Sequence, residues 1–274
     1  MTSRPIFVKL GGSLITYKAR PRTVRRKVLQ RLAAELATFY AQHPGQDLLI
    51  GHGSGSFGHW AARAHGWRGA VPDRADPRAL AAIAQAAAAL HHQVMEALRA
   101  AGLPAWSFPP SAAAVAREGR LSAWDVTPLA QARAQGWVPV VYGDVVLDTA
   151  RGGAIVSTED VFAFLAPRWQ PARVLLVGLE PGVWRDWPRR RALWTHITPA
   201  QWEAAAHAAQ GAAGPDVTGG MAGKVARMVA LVQQVPGLEV RILSGRTPQA
   251  LTRALKGEPV GTLITADAYG SAAA

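Results

Sequence analysis

Cysteine is absent from the 274 residues of this chain. Its absence excludes a disulfide framework, a thiolate zinc site and a thiol nucleophile, and it gives no reason to expect an oxidising compartment. Long apolar runs are also absent. No uncharged stretch reaches the roughly 18 residues that span a bilayer, and the N-terminal apolar run is too short for a signal peptide. We therefore expect a cytoplasmic protein with no membrane partner.

Acidic residues are scarce, since 18 Asp and Glu stand against 30 Lys and Arg, giving a formal charge of +12. Only five of the basic residues are lysine, yet Lys9, Lys18 and Lys224 fall in or near glycine-rich segments, which indicates a need for a compact ammonium group there. The run Arg189–Arg191, flanked by tryptophans, could stack bases and hold phosphates. No recognition helix or RNA-binding signature accompanies it, so we interpret it as a solvated loop and expect no nucleic-acid partner.

Hydrophobic residues make up 49% of the chain, enough for a sizeable core. Short apolar runs alternate with amphipathic or alanine-rich helical patterns along the whole length. This alternation favours a mainly parallel sheet with helices on both faces. We predict an α/β fold in a single domain spanning residues 1–274.

The pattern also predicts individual elements. The predicted strands are 6–10, 47–50, 105–108, 138–142, 145–147, 174–177, 240–243 and 262–265. The predicted helices are 23–40, one from about Trp60, 77–101, 128–135, 159–165, 199–209, 221–233 and 248–255. We predict that Thr23 caps the first long helix and that 145–147 forms a hairpin with 138–142 around Gly143-Asp144.

Three glycine-rich segments lie where strands end or helices begin. They are KLGGS at 9–13, GHGSGSFGH at 51–59 and DVTGGMAGK at 216–224. Glycine lets backbone N–H groups approach an anion closely, and a helix N-terminus favours negative charge. The first segment is not a Walker loop, because no Gly-Lys-Ser/Thr follows at the required spacing. Each segment alone could be a tight turn, but the three together predict a phosphate-binding site.

The combination resembles the isopentenyl phosphate kinases, a branch of the amino acid kinase family, over nearly the whole chain. The matching residues are KLGGSLITYK at 9–18, HGSGSFGH at 52–59, PVVYGDVVLD at 139–148, DVTGGMAGK at 216–224, ILSG at 242–245 and GEPVGTLI at 257–264. The SFGH ending is the most discriminating. The resemblance implies an open three-layer α/β/α sandwich, a homodimer, and transfer of a phosphoryl group from ATP, with Mg²⁺, to isopentenyl phosphate.

The resemblance also implies roles for residues. Lys9, Lys18, His59 and Glu159 would be catalytic, with Lys18 on the transferring group. ATP would contact Lys9, Gly11, Gly12, Ser13, Gly55, Gly220 and Lys224. The substrate's phosphate would face Gly53, Ser54, His59, Gly143 and Thr158, and no protein ligand to a metal is expected. Residues 1–150 would bind substrate and form the dimer, and 151–274 would bind nucleotide.

The sequence departs from the family pattern in three places. Ser54 adds a hydroxyl where members usually carry glycine. Thr158 and Glu159 replace the glycine and aspartate of a usual Ser-Gly-Asp, and Asp160 competes with Glu159 for the role of orienting the lysines. The segment 178–182 lacks an acidic residue expected near the nucleotide, which puts nucleotide affinity and choice in question.

Phosphoryl transfer requires alignment of the two substrates and cations around a loose transition state. No covalent nucleophile is required. The acceptor is already ionised, which favours His59 as a clamp over a base. Apolar side chains on two helices could line a pocket for a five-carbon tail, although such a stripe is more often plain core: Phe57, Trp60, Leu90, Val94 and Leu98.

Two alternatives stay open. One is a kinase for another small phosphate, phosphonate or carboxylate on the same fold. The other is a nucleotide-sensing or nucleic-acid-binding protein on a kinase scaffold, which the +12 charge and the missing acidic residues would favour.

Overall fold

The structure, a computed structural model, describes residues 3–66, 76–210 and 220–266, with 207–210 described by their backbone alone. Its strands are β1 (Ile6–Leu10), β2 (Leu48–His52), β3 (Ala105–Ser107), β4 (Val115–Arg117), β5 (Arg120–Ala123), β6 (Val138–Tyr142), β7 (Asp144–Asp148), β8 (Gly152–Val156), β9 (Arg173–Gly178), β10 (Val183–Trp184), β11 (Leu193–Trp194), β12 (His196–Ile197), β13 (Glu239–Ser244) and β14 (Thr262–Ile264). Its α-helices are α1 (Gly12–Ile15), α2 (Arg26–Gln42), α3 (Gly55–Ala64), α4 (Pro77–Ala100), α5 (Thr127–Ala134), α6 (Thr158–Trp169), α7 (Pro199–Gln210), α8 (Met221–Gln234) and α9 (Ala250–Leu255). None of the helices in the described ranges is both long and apolar enough to cross a membrane.

Eight strands form one large sheet in the order β12-β14-β13-β9-β1-β2-β6-β3. Its pairings are parallel except for the antiparallel pair β13 and β14. The first strand of the chain is therefore central, between β2 and β9. The predicted mainly parallel sheet is confirmed.

Helices cover both faces of this sheet, and the two-residue period of a strand divides the core between them. On β1, Ile6, Val8 and Leu10 pack with the buried faces of α2, α4 and α9. Phe7 points to the opposite face, where α6 and α8 bury theirs. Lys9 shares the Phe7 side by the same alternation. The result is the expected three-layer α/β/α sandwich, with one charged side chain pointing from its central strand.

A second sheet, in the order β5-β4-β7-β8, shows that the predicted hairpin between 138–142 and 145–147 is wrong. β7 pairs with β8 and β4, while β6 stays in the large sheet. The N–H of Gly143 donates to the His52 carbonyl (3.0 Å), which holds the chain on the large sheet up to this point. The next residue, the buried Asp144, accepts from the Ser111 N–H (3.0 Å) and is the first residue of β7 in the second sheet.

The predicted cap of the first long helix is also wrong. The Thr23 hydroxyl donates to the Pro21 carbonyl (2.8 Å), and α2 begins at Arg26 without a side-chain cap. Before α2 the chain is held by a bridge between Thr16 and Val24. The helix expected from Trp60 begins earlier, at Gly55, so most of the second glycine segment is helical.

Candidate active site

Two glycine loops meet at the carboxyl ends of β1 and β2. A methyl group on Gly53 would lie 3.1 Å from the Gly12 nitrogen, and one on Gly12 would clash with the backbone of Gly55. Gly55 also has a φ of +52°, in the left-handed region that favours glycine. Only glycine lets the two loops approach this closely.

Four backbone N–H groups of these loops, those of Gly12, Ser13, Ser54 and Gly55, donate to no backbone or side-chain acceptor in the described part of the chain. Unpaired N–H groups in closely packed glycine loops form the kind of concavity that binds phosphate. Gly11 differs, because its N–H donates to the Val177 carbonyl (2.8 Å) and ties the loop to β9.

Thr16 fixes the two loops against each other. Its hydroxyl donates to the Gly12 carbonyl (2.7 Å) and accepts from the Ser56 N–H (2.9 Å), and the residue is fully buried. Sequence reasoning missed this residue. Its position four residues after Gly12 is the signal that could have found it, because a threonine there can bond back to the carbonyl of a helical turn.

A buried ion-pair cluster lies beside the loops, on the α6 and α8 side of the sheet. Lys9 makes a close ion pair with Glu159, in the first turn of α6, and the Lys224 Nζ from α8 lies 3.9 Å from the Glu159 Oε1. The Lys9 Cε is 4.0 Å from where a methyl group on Gly53 would lie. Because two cations face one carboxylate, the cluster carries a net positive charge next to the loops.

The pKa of Glu159 is set by these neighbours. Burial by itself raises it, but the ammonium groups of Lys9 and Lys224 outweigh burial and hold the pKa at about 2, so the carboxylate is ionised at neutral pH. Burial lowers the pKa of Lys224, as does the charge of Lys9, while Glu159 opposes both. A phosphate nearby would favour the charged form of Lys224.

The neighbouring acid, Asp160, has a different task. It forms a capping box with Ser157 at the start of α6: the Asp160 N–H donates to the Ser157 Oγ (3.1 Å), and the Ser157 N–H donates to the Asp160 Oδ2 (2.8 Å). Asp160 also lies 3.4 Å from the Arg227 Nε on α8. Of the two acids, Glu159 is the one beside Lys9, and within the described residues it has no contact with Lys18.

Thr158 and Gly143, expected to face the substrate, both bind the carbonyl of His52 instead. The Thr158 hydroxyl donates to it at 2.7 Å and the Gly143 N–H at 3.0 Å. Thr158 is 1% exposed, so its hydroxyl is committed to the protein and not turned to a ligand. These two residues hold the strand end from which the second glycine loop begins.

Lys18 and His59 form a second basic cluster with Arg63. Lys18 lies in the turn after α1, and its carbonyl accepts from the Trp60 indole N–H (3.3 Å), which ties that turn to α3. Partial burial lowers the pKa of His59, and the charges of Arg63 and Lys18 lower it further. His59 is therefore neutral at pH 7 in the free protein, and the field around it is positive.

The third glycine segment lies only partly within the described ranges, because 216–219 are outside them. Gly220 is the N-cap residue of α8. Lys224, in the first turns of that helix, reaches the Glu159 carboxylate. Lys224 of the third glycine segment and Lys9 of the first therefore pair with the same carboxylate, that of Glu159.

The side chains expected to line a tail pocket are core residues, with the exception of the exposed Trp60. The buried ones are each 2% exposed or less and pack between α4 and the large sheet: Phe57, Leu90, Val94 and Leu98. The core alternative is therefore confirmed for these four, since helical periodicity alone does not distinguish a core stripe from a pocket wall. A separate small apolar cluster lies between α4 and the second sheet, and consists of Leu80, Ile83 and Val145.

The arginine-rich segment forms the loop between β10 and β11. The guanidinium of Arg190 lies over the Trp187 ring (4.4 Å to its centroid) and 3.6 Å from the Glu180 carboxylate. Glu180 also accepts from the Trp184 indole N–H (2.7 Å). The charge of Arg190 is thus met by Glu180, which lies just before β10.

Comparison with known proteins gives three concordant findings. Residues 4–244 match the amino acid kinase family. The chain is 34% identical to the isopentenyl phosphate kinase of Methanothermobacter thermautotrophicus, over 95% of this chain and 98% of that one. It is also 34% identical to the isopentenyl phosphate kinase of Haloferax volcanii, over 94% and 98% of the two chains.

A solved X-ray structure of isopentenyl phosphate kinase superposes with a TM-score of 0.79 at 30% identity, covering 95% of this chain and all of that one. The resemblance in motifs, the sheet order and the relatives agree. The chain belongs to the isopentenyl phosphate kinase branch of the amino acid kinase family.

Proposed function

We propose that this protein works in the cytoplasm and phosphorylates isopentenyl phosphate with ATP to give isopentenyl diphosphate, in isoprenoid biosynthesis. The observation that carries the proposal is the pair of touching glycine loops flanked by two basic clusters, Lys9 with Lys224 and Lys18 with His59. Two phosphates brought together repel each other, so their reaction needs cations and N–H donors on several sides. Dimethylallyl phosphate is an acceptor too, because an apolar pocket discriminates weakly between double-bond isomers.

We assign the phosphates of ATP to the first loop and the buried cluster. The N–H groups of Gly12 and Ser13 donate to them, Lys9 and Lys224 balance their charge, and Gly55 touches the γ-phosphate. Gly11 and Gly220 shape the two backbones that carry these groups. Residues 151–274 thus supply Gly220 and Lys224, while Lys9 and the glycine loops reach the nucleotide from residues 1–150.

We assign the acceptor phosphate to Gly53, Ser54 and His59, within residues 1–150. Lys18 stabilises the phosphoryl group in transfer. The acceptor oxygen is already ionised at neutral pH, so no general base is needed. His59 is a neutral donor in the free protein, and an arriving dianion raises the pKa of its imidazole and strengthens the bond.

Mg²⁺ fits this scheme as a ligand of the nucleotide. Within the described ranges, no group of three or more His, Asp or Glu side chains is placed to hold a metal ion, and the buried Glu159 is occupied by two lysines. Magnesium commonly keeps its waters and binds substrate phosphates. Bound to the phosphates, it would neutralise charge that the lysines leave unmatched.

The five-carbon tail belongs, in this proposal, against the cluster of Leu80, Ile83 and Val145. Ala61 and Ala62 of α3 pack on the same cluster, so it adjoins the helix that carries His59. Two exposed apolar side chains, Leu147 and Ile155, lie on the neighbouring strands β7 and β8. Small residues on α3 leave room beside an otherwise apolar surface.

Turnover of ATP with a panel of acceptors tests the proposed function. With Mg²⁺, we expect ADP release with isopentenyl and dimethylallyl phosphate, and formation of the diphosphates by ³¹P NMR. The Lys18→Ala variant should lose roughly 100-fold or more in kcat with a smaller change in KM, as for a contact made mainly in the transition state. No ADP release above the acceptor-free rate, across a panel that includes a phosphonate and a carboxylate, contradicts the proposal.

We also propose that the protein is a homodimer formed through the β3 edge of the large sheet. The exposed Trp106 on β3 packs edge-on against the exposed Trp137 (centroids 4.7 Å apart). Antiparallel pairing of β3 with a second copy would continue the sheet across a twofold axis and cover these rings. Light scattering should give twice the 29.1 kDa chain mass, and Trp106→Glu should give the single-chain mass. A wild-type protein of single-chain mass contradicts this interface.

A further inference from the structure

A chain of buried polar groups ends at the second glycine loop. The His52 Nε2 lies 3.0 Å from the His91 Nδ1, and the His91 Nε2 lies 2.7 Å from the Ser107 hydroxyl. At the other end, the His52 Nδ1 lies 3.2 Å from the carbonyl oxygen of Gly53. His52 is fully buried and His91 is 7% exposed.

The rings are held in place as well as hydrogen-bonded. Tyr142 from β6 stacks on both imidazoles, with centroids 4.3 Å from His91 and 5.4 Å from His52. The hydrogen-bonded groups therefore run from Ser107 on β3, through His91 on α4, to His52 at the end of β2, and each ring is held in place. Two histidines in a core otherwise filled by Leu90 and Val94 are costly to desolvate, so they are not explained by packing alone.

The contacts allow one direction of hydrogen bonding. A carbonyl oxygen only accepts, so the His52 Nδ1 carries the proton and the His52 Nε2 accepts. The His91 Nδ1 must then be the donor to it, which leaves the His91 Nε2 to accept from the Ser107 hydroxyl. Burial lowers the pKa of both imidazoles, to about 3 for His52 and about 4 for His91, so both rings are neutral as this scheme requires.

These hydrogen bonds fix the orientation of one peptide of the loop, the peptide between Gly53 and Ser54. In a trans peptide the carbonyl and the following N–H point in opposite directions. Holding the Gly53 carbonyl toward the His52 ring therefore points the Ser54 N–H away from that ring, and the Ser54 N–H is one of the loop donors without an acceptor among the described residues.

We propose that His91 is a positioning residue for the acceptor phosphate, acting through His52 on the peptide that presents the Ser54 N–H. The proposal rests on the function proposed above. It adds a residue on α4, outside the glycine segments, to the groups that determine affinity for the acceptor.

The protonation scheme is testable on the wild-type protein without turnover. Long-range ¹H–¹⁵N correlation spectra of labelled histidine distinguish the two neutral tautomers. We expect both His52 and His91 to carry their proton on Nδ1 at pH 7.5. A proton on the Nε2 of either ring overturns the proposal whether or not the protein is active.

Two variants of His91 test the consequence. His91→Asn places an amide N–H where the His91 Nδ1–H lies and should keep near wild-type kinetics, whereas His91→Leu removes the donor. We expect His91→Leu to raise the KM for isopentenyl phosphate about tenfold, with the KM for ATP and kcat within about twofold.

Equal kinetics of the leucine variant and the wild type overturn the positioning role, as does a loss shared equally by both substrates. If wild-type protein turns over no acceptor, the proposed function fails instead. The tautomer measurement then tests separately whether the hydrogen bonds among Gly53, His52, His91 and Ser107 exist.

Discussion

The carboxylate of Glu159 lies between the ammonium groups of Lys9 and Lys224. Lys9 and Glu159 are buried and Lys224 is half-buried. The two buried charges are tolerated because they are paired, since removing one partner leaves the other uncompensated. The carboxylate also keeps two like charges near each other. Glu159 therefore prepares the two lysines for phosphates that are not yet bound.

The Glu159→Gln variant isolates this charge. Glutamine keeps the shape and still accepts a hydrogen bond, but Lys9 and Lys224 then repel each other without compensation. We expect kcat to fall about tenfold or more, because phosphoryl transfer depends on alignment of these cations. The matched control is Asp160→Asn, which weakens the capping box and should lower the free energy of unfolding by about 1 kcal/mol without changing kcat. A glutamine variant with wild-type kcat would remove Glu159 from the mechanism.

His59 is the residue on which acceptor recognition depends most directly. Replacing it by alanine should raise the KM for isopentenyl phosphate about 10- to 100-fold, the loss expected for one hydrogen bond to a charged group. The KM for ATP should change little. His65→Ala, at the exposed end of the same helix, is the control and should leave both constants unchanged. A rise confined to the KM for ATP would move His59 to the nucleotide side.

At the scale of elements, two buried threonines join parts of the site that are distant in sequence. Thr16 joins the turn of α1 to α3, and Thr158 joins α6 to the end of β2. Only glycine fits at position 51, because the Thr158 methyl group and the Phe162 ring occupy the space where a side chain would lie. α6, which carries Glu159, is thereby docked on the strand that carries the second loop.

Variants at Thr158 measure this coupling. Thr158→Val keeps the shape but loses the hydroxyl that bonds to His52, whereas Thr158→Ser keeps the hydroxyl. We expect the valine variant to lose about 1 kcal/mol of unfolding free energy and about threefold to tenfold in kcat, because Glu159 shifts with the start of α6. The serine variant should keep nearly wild-type kcat. If both variants have the same kcat, the hydroxyl does not position α6.

The sequence predicts those elements whose signals are local. β1 and β2 are predictable because each contains a short apolar run that leads into glycine. The alternation of such runs with helical patterns is enough to predict a sheet with helices on both faces. The pairing of β7 with β4 is not predictable in this way, because it joins Val115 to Leu147, which are distant in sequence. The same holds for the site: glycines and lysines are visible as motifs, whereas the bonds of Thr16 to Ser56 and of Thr158 to His52 are tertiary contacts.

At the scale of the whole molecule, buried histidines link folding to pH. His52 and His91 lie under the acceptor loop among groups that disfavour their charged forms. Burial is the largest effect on both, and the Lys9 ammonium and His92 add to it, while Tyr142 and Ser107 contact them as neutral groups. The folded protein therefore resists protonation of these rings.

Stability should fall as the solution becomes mildly acidic. The pKa values of His52 and His91 are about 3 and about 4 in the folded protein, below the 6.5 of an unfolded histidine. The unfolded chain thus takes up protons as pH falls through about 6.5 while the folded chain does not, and stability present above that pH is progressively lost down to about pH 4. Glu159, with its pKa near 2, adds a further loss below about pH 4.5.

Urea unfolding at pH 7 and pH 5 measures this difference. Each of the two histidines should contribute a loss of roughly 2 kcal/mol between these pH values, and less if they are coupled. His91→Asn, which cannot titrate, should remove about half of the pH dependence. Equal unfolding free energies at pH 7 and pH 5 would contradict a neutral, buried histidine pair. Equal values would mean that the folded and unfolded chains bind the same number of protons, as they do when both rings are exposed to water.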